Sequence, residues 1–221
     1  MITVWGRRNS VNVQKVMWTL GELGLQYQRH DAGGSFGISE DYLQKNPNAV
    51  IPTIEDGDLV VYESNACVRH LARTYGAGSL MPNSSSSIAL TDQWMDWQCS
   101  TFAPVFMQIF LHGLRLPEDK RNPDQLARSV SHIGTLLAQI NTKLAACEYL
   151  VGDAFSAADI PLGTMLYRYF GMDIERPSLP LVEQYYDRLT SRPAYQQHVM
   201  IPFGRSFDEW NIEEQRNAKI Q

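Results

Sequence analysis

The segment Asn46–Arg69, NPNAVIPTIEDGDLVVYESNACVR, decides the fold class. Ile51-Pro52-Thr53 reads as a strand entry, Asp56-Gly57-Asp58 as a tight turn, Leu59-Val60-Val61 as a second short strand, and Glu63-Ser64 as the start of a helix. A proline within a strand-like run donates no ladder hydrogen bond, so it belongs at the first strand position or on an edge, where a cis bond is accessible. The backbone of Ile51 is then left unpaired and facing outward. Ser64 stands where the free amides of a helix N-terminus attract an anion. The hairpin so read offers a free main-chain edge to a peptide-like ligand and, beside it, a seat for a carboxylate with Glu63 ready for an ammonium group.

Working outward, the first third alternates short strands and helices. Ile2 to Trp5 is expected as a strand, Val11 to Leu23 as a helix, Gln26 to His30 as a strand, and Glu40 to Lys45 as a short helix ended by Pro47. With the hairpin and a helix from Ser64 to Tyr75 this gives βαβ followed by ββα, a mixed sheet with helices on both faces. Gly76-Ala77-Gly78, Pro82-Asn83 and the serine run Ser84 to Ser87 are rich in breakers, so residues 1–77 form one domain and 78–87 a linker. Residues 88–221 read as all-α. Ile88 to about Leu114 is a helix that Pro104 should kink, and Asp124 to Ala146, Leu179 to Thr190 and a short turn after Pro193 are further helices. Ser156-Ala157-Ala158-Asp159 is a capping box in which Asp replaces Glu, a structural signal. The polar tail Asn211 to Gln221 is expected to be loosely ordered.

Composition narrows the function classes. Of 221 residues 44% are hydrophobic and 19% charged, as in an ordinary soluble globular chain, and the net charge of −5 disfavours a nucleic-acid partner. No apolar run reaches the ~20 residues of a membrane span, and the start MITVWGRRNS carries no basic-then-apolar leader, so a cytoplasmic location is expected. Cys67, Cys99 and Cys147 are far apart, and each falls in an apolar helical pattern, so three buried reduced thiols are expected. Without a C-x-x-C pair the chain is not expected to do dithiol chemistry by itself. The five histidines lack metal spacing, so no metal is expected.

A second helix start follows the first strand. In Arg7-Arg8-Asn9-Ser10-Val11-Asn12, Ser10 and Asn12 project from the first turn, where amides and a hydroxyl favour a thiolate over a thiol. Serine in front of a helix is also the commonest N-cap, and that structural reading stands beside the catalytic one.

NPNAVIPTIEDGD with YESNACVRHLARTYG, the segment WGRRNSVNVQKVMWTLGELGLQY, and YLVGDAFSAADIPLG together resemble the glutathione S-transferase family in order and spacing over nearly the whole chain. The likeness is greatest to bacterial cytosolic members with serine or asparagine at the first helix. It implies a thioredoxin-like N-terminal domain, an all-helical second domain, and glutathione as co-substrate, activated for attack on a small electrophile. It also implies a two-fold homodimer with Arg69 near the contact, unless Arg69 makes only an internal salt bridge. By this resemblance Ser10 is the donor to sulfur with Asn12 as helper or alternative, and Ile51, Pro52, Glu63 and Ser64 hold glutathione. Phe36, Phe106, Phe110 and Arg115 are weaker candidates for the electrophile site. In one respect the chain departs from the pattern: neither the loop Gly33–Ile38 nor the pair Val50-Ile51 offers a charge for the glycine carboxylate of glutathione, leaving Arg7, Arg8, Lys45 or Asn48 to supply it. Glutathione-dependent dehalogenation or peroxide reduction shares the same activated sulfur, and a non-catalytic binding or assembly module shares the same fold.

Overall fold

A computed structural model describes residues 1–218. β1 (Ile2–Trp5), α1 (Val11–Glu22), β2 (Tyr27–His30), α2 (Glu40–Lys45), β3 (Thr53–Asp56), β4 (Leu59–Tyr62) and α3 (Ser64–Tyr75) build the first half. The sheet order is β2-β1-β3-β4. β1 and β2 are parallel, whereas β1/β3 and β3/β4 are antiparallel. Alternation sets the two faces. Ile2, Val4 and Ile54 point into a core with Val13, Val16, Met17 and Leu20 of α1 and Cys67 and Leu71 of α3. On the opposite face Trp5 meets Tyr42 of α2, whose hydroxyl hydrogen-bonds Val50 O at 2.6 Å and lies 2.9 Å from Thr53 Oγ1. The thioredoxin-like mixed sheet with helices on both faces is therefore present.

The second half is helical: α4 (Ser85–Trp97), α5 (Ala103–Phe110), α6 (Pro123–Lys143), α7 (Asp159–Gly171), α8 (Pro180–Thr190), α9 (Pro193–His198) and α10 (Phe207–Ala218). α4 begins earlier than the apolar spacing indicates. Ser84 accepts a hydrogen bond from the Ser87 amide at 3.1 Å, so the serine run is a cap and first turn rather than linker. Pro104 is accommodated by a π turn, Gln98–Phe102, in which Ala103 N bonds Gln98 O, and a second π turn, Leu111–Arg115, ends the same long helix.

α1 joins the halves. One side of it packs on the sheet, while Trp18 reaches the other core against Phe155 and Tyr195. α7 approaches so closely there that a Cβ on Gly163 would meet the Trp18 ring and Leu189 at 2.9 Å. The capping box forms at the start of α7. Asp159 accepts from Ser156 N at 2.9 Å, Leu150 N at 3.0 Å and the Tyr185 hydroxyl at 2.9 Å, and burial pushes its carboxyl up to about 6.

Two expectations are corrected. Asn211–Ala218 is not loose: it is part of α10, with Trp210, Glu214 and Asn217 buried, because an apolar ring and a carboxylate on one face both find partners on the rest of the molecule. Lys219, Ile220 and Gln221 lie outside the described residues. Only Cys67 is a buried thiol. Cys99 is exposed in the π turn and Cys147 is half-buried after α6, since a π turn and a helix end rotate side chains off the apolar stripe.

Candidate active site

The Ile51–Pro52 peptide bond is cis, and among the described residues neither the amide nor the carbonyl of Ile51 has a hydrogen-bond partner. The two helix starts, α1 and α3, converge beside this edge. Glu63 holds φ at +69°, a left-handed conformation that costs a non-glycine residue about 1–3 kcal/mol and is commonest at functional sites. Its exposed side chain makes no cap. Ser64 is buried, and its hydroxyl donates to Asn12 Oδ1 at 3.3 Å, tying the first turn of α1 to the first turn of α3.

Beneath Ser64 lies a group not anticipated from the sequence. Lys15 is 2% exposed, and its Nζ donates to Ser64 Oγ (3.2 Å), Asn65 Oδ1 (3.1 Å) and Gln98 Oε1 (3.3 Å). Burial lowers its pKa to about 8, with Cys99 and Glu63 opposing that shift. A cation therefore lies behind the first turn of α3, where the sequence leads one to expect an anion seat. The signal was available in the helical period: Lys15 falls between Val11 and Trp18 on a face of α1 whose neighbours are apolar.

Ser10 occupies the N-cap of α1, at φ −75° and ψ 124°, yet its side chain makes no cap hydrogen bond. It lines a cleft of about 450 Å³ with Asn12 and Ile51 on one side and Met107, Phe110, Leu111, Arg115, Arg168 and Trp210 on the other. Thus Ser10, Asn12, Ile51, Phe110 and Arg115 share one cleft, with Ser64 adjoining through Asn12. Phe106 does not join them: at 1% exposure it is stacked between Phe102 and Phe110 in the core. Phe36 is not a wall of the cleft either. Ile38 takes that place, because a short 3₁₀ turn at Gly34–Phe36 carries the ring away.

Of the four candidates for the glycine carboxylate, Arg7 alone lines the cleft. Arg8 donates to Gln197 O (3.0 Å), Lys45 pairs with Glu55 (2.9 Å), and Asn48 lies exposed beside Asn46. Arg7 pairs with Glu214 of α10 at 2.7 Å, and Glu214 also accepts from Ser35 N at 3.0 Å. Burial pushes the Glu214 carboxyl up, but the Ser35 hydrogen bonds with Arg7 and Arg115 outweigh it and leave its pKa lowered. Gly34, at φ +60°, leaves room for this pair, since a Cβ there would stand 2.9 Å from both side chains. Arg69 makes an internal ion pair, bridging Asp92 and Asp96 of α4. Among the described residues no group of three or more His, Cys, Asp or Glu is placed to hold a metal.

Family models for the glutathione S-transferase N-terminal domain and C-terminal domain match residues 1–73 and 102–193. The chain belongs to the glutathione S-transferase family. Glutathione S-transferase GstB of Escherichia coli K12 is 37% identical over 206 residues, spanning 91% of this chain and 99% of that protein. A theta class glutathione S-transferase from Xanthomonas axonopodis pv. citri, solved with glutathione bound, is 46% identical. It superposes with a TM-score of 0.88 over 92% of this chain and 99% of its own. Glutathione S-transferase 4 of Zea mays is 27% identical over 87% of this chain and 89% of its own length. The transferase fold thus extends over both halves, and no helix among the described residues is long and apolar enough to cross a membrane.

Proposed function

We propose that this transferase binds glutathione along the Ile51–Pro52 edge and activates its thiol with the Ser10 hydroxyl for attack on a small electrophile. One observation carries the reading: the Ser10 side chain stands at an N-cap position without capping and so keeps its hydroxyl for the cleft. A hydrogen bond from that hydroxyl, with the N-terminal amides of α1, stabilises a thiolate relative to the thiol, whose unperturbed pKa is about 8.5. The thiolate attacks without further chemical help once the electrophile is held within reach.

Binding falls to the other helix start. The γ-glutamyl carboxylate takes Ser64 and the α3 amides above the Lys15 cation, and Glu63 takes the neighbouring ammonium. Ile51 pairs main chain to main chain, and Arg7 is the side chain placed for the glycine carboxylate. In this division of labour residues 1–77 hold glutathione and 88–221 present the electrophile. Dehalogenation and peroxide reduction use the same sulfur and remain within the reading.

A dimer is part of the proposal, supported by Leu59, Val60 and Tyr62 on β4 and Leu90 on α4, which are exposed. A cytoplasmic location is part of it as well. Glutathione with 1-chloro-2,4-dinitrobenzene tests the central claim: turnover that Ser10→Ala cuts, with retention on immobilised glutathione preserved, is the expected result. No turnover together with no retention would favour a non-catalytic module instead.

A further inference from the structure

The wall that faces glutathione across the cleft carries more positive charge than a purely apolar electrophile would require. Arg168 of α7 is 3% exposed, and its Nη2 donates to the backbone carbonyl of Asn9. Its guanidinium lies 4.9 Å from the centre of the Phe110 ring and 5.1 Å from that of Trp210. Arg115 lies against the same Trp210 ring, 4.5 Å from its centre. Neither Arg115 nor Arg168 has an ion-pair partner among the described residues. Glu214, whose charge also reaches Arg115, is engaged directly by Arg7 and by the Ser35 amide. A buried guanidinium without a counter-charge is costly, and the cost is relieved when a ligand supplies the anion.

Glutathione alone does not account for this charge. Its γ-glutamyl end is directed to Ser64 in the reading above, and Arg7 suffices for its glycine end. Arg115 and Arg168 stand on the helical side, beyond the sulfur position at Ser10. They pack against Phe110 and Trp210, two rings in edge-to-face contact with centroids 5.2 Å apart that hold the guanidiniums in place, and two forked donors match a carboxylate bidentately.

We propose that the electrophilic substrate is itself an organic anion, a small carboxylate that pairs with Arg115 and Arg168 where they pack against Phe110 and Trp210. The inference rests on the transferase reading and deepens it. For a halide substrate the sulfur lone pair forms the new C–S bond, the C–halogen bond breaks, halide departs with the bonding pair, and the thiol proton leaves to solvent. Burial, together with Arg7 and Arg115, lowers the Arg168 pKa to about 9, consistent with a cation short of counter-charge.

The test compares 4-(bromomethyl)benzoate with 4-(bromomethyl)benzamide, each corrected for its uncatalysed rate with glutathione. The wild-type protein is expected to prefer the benzoate in kcat/KM by about tenfold or more, equivalent to about 1.4 kcal/mol. Arg115→Gln should carry that ratio toward one, and Arg115→Lys should retain part of it. Because a variant of the buried Arg168 risks misfolding, a second measurement uses wild-type protein: benzoate should inhibit turnover of the benzamide in competition with the electrophile and not with glutathione. A wild-type ratio of one or less overturns the inference. So does an Arg115→Gln ratio unchanged from wild type, including the case in which glutathione affinity falls, since the arginine would then serve glutathione. Thioether formation with neither compound would overturn the transferase reading and this inference with it, whereas turnover without preference overturns the inference alone.

Discussion

The two sides of the cleft are built in different ways. On the side proposed for glutathione, the surface comes mostly from main chain and helix starts: the cis-proline edge, the first turn of α3 and the first turn of α1. On the helical side it comes from side chains of α5, the π turn after it, α7 and α10, spread along the chain from Met107 to Trp210 and brought together by packing. A surface made of backbone tolerates changes in side chains so long as its turns survive. A surface made of distant side chains changes with each substitution, which leaves the fold intact and lets specificity drift.

Breaking the scaffold under the helical side should have the largest effect. Asp159→Ala strands the Leu150 and Ser156 amides and the Tyr185 hydroxyl, and at about 1–3 kcal/mol for each unsatisfied buried group the chain should lose at least about 3 kcal/mol in urea unfolding. A loss under 1 kcal/mol would mean that α7, and with it Arg168, is not pinned by the capping box.

Next in size is Ser10→Ala. Loss of one hydrogen bond to a charged sulfur is worth about 1.5–3 kcal/mol, so kcat at neutral pH should fall by roughly tenfold to a hundredfold while the glutathione Kd hardly moves. An unchanged kcat would assign the role to Asn12 or to the α1 amides. Ser64→Ala sharpens the contrast by acting on binding. The glutathione Kd should rise by about 1–2 kcal/mol in a calorimetric titration, and an unaltered Kd would place the anion seat elsewhere.

Lys15 supplies a test by pH. Its folded pKa is depressed from the ordinary 10.5 to about 8 by burial. Below about pH 8 both the folded and unfolded chains hold the proton, and the cost of a buried charge is fully present. Between about 8 and 10.5 the unfolded chain holds a proton that the folded chain has released, so unfolding free energy from this group rises with pH. The wild-type protein should therefore gain on Lys15→Met across that window by about 1.4 kcal/mol for each pKa unit by which burial depresses the folded value. A pH-independent difference in denaturant midpoints would show that Lys15 keeps its charge. Phe36→Ala should do least, under about 0.5 kcal/mol in stability, with catalysis unchanged, because its ring is not part of the cleft.

How much was legible follows the same contrast between the two sides. The proline, the Asp-Gly turn and the serines before helices are local signals, and each constrains the backbone within a few residues. They sufficed to place the hairpin, the two helix starts and the break between halves. Phe106 and Phe110 share one helical stripe and looked equivalent. Only the direction in which α5 presents each ring separates a core residue from a wall of the cleft. Arg168 and Trp210 carried no local signal, since nothing in their neighbourhoods records that α7 and α10 meet at Asn9 and Phe110.

By itself the sequence determined the mixed sheet, the cis-prone edge at Pro52 and the family, because turn chemistry and periodicity act over short distances along the chain. Tertiary structure alone decided that a lysine lies buried behind Ser64, that the tail closes over Arg7 through Glu214, and that two arginines with no ion-pair partner among the described residues share the cleft of Ser10. Charge compensation depends on which groups meet in space, and burial makes those meetings consequential.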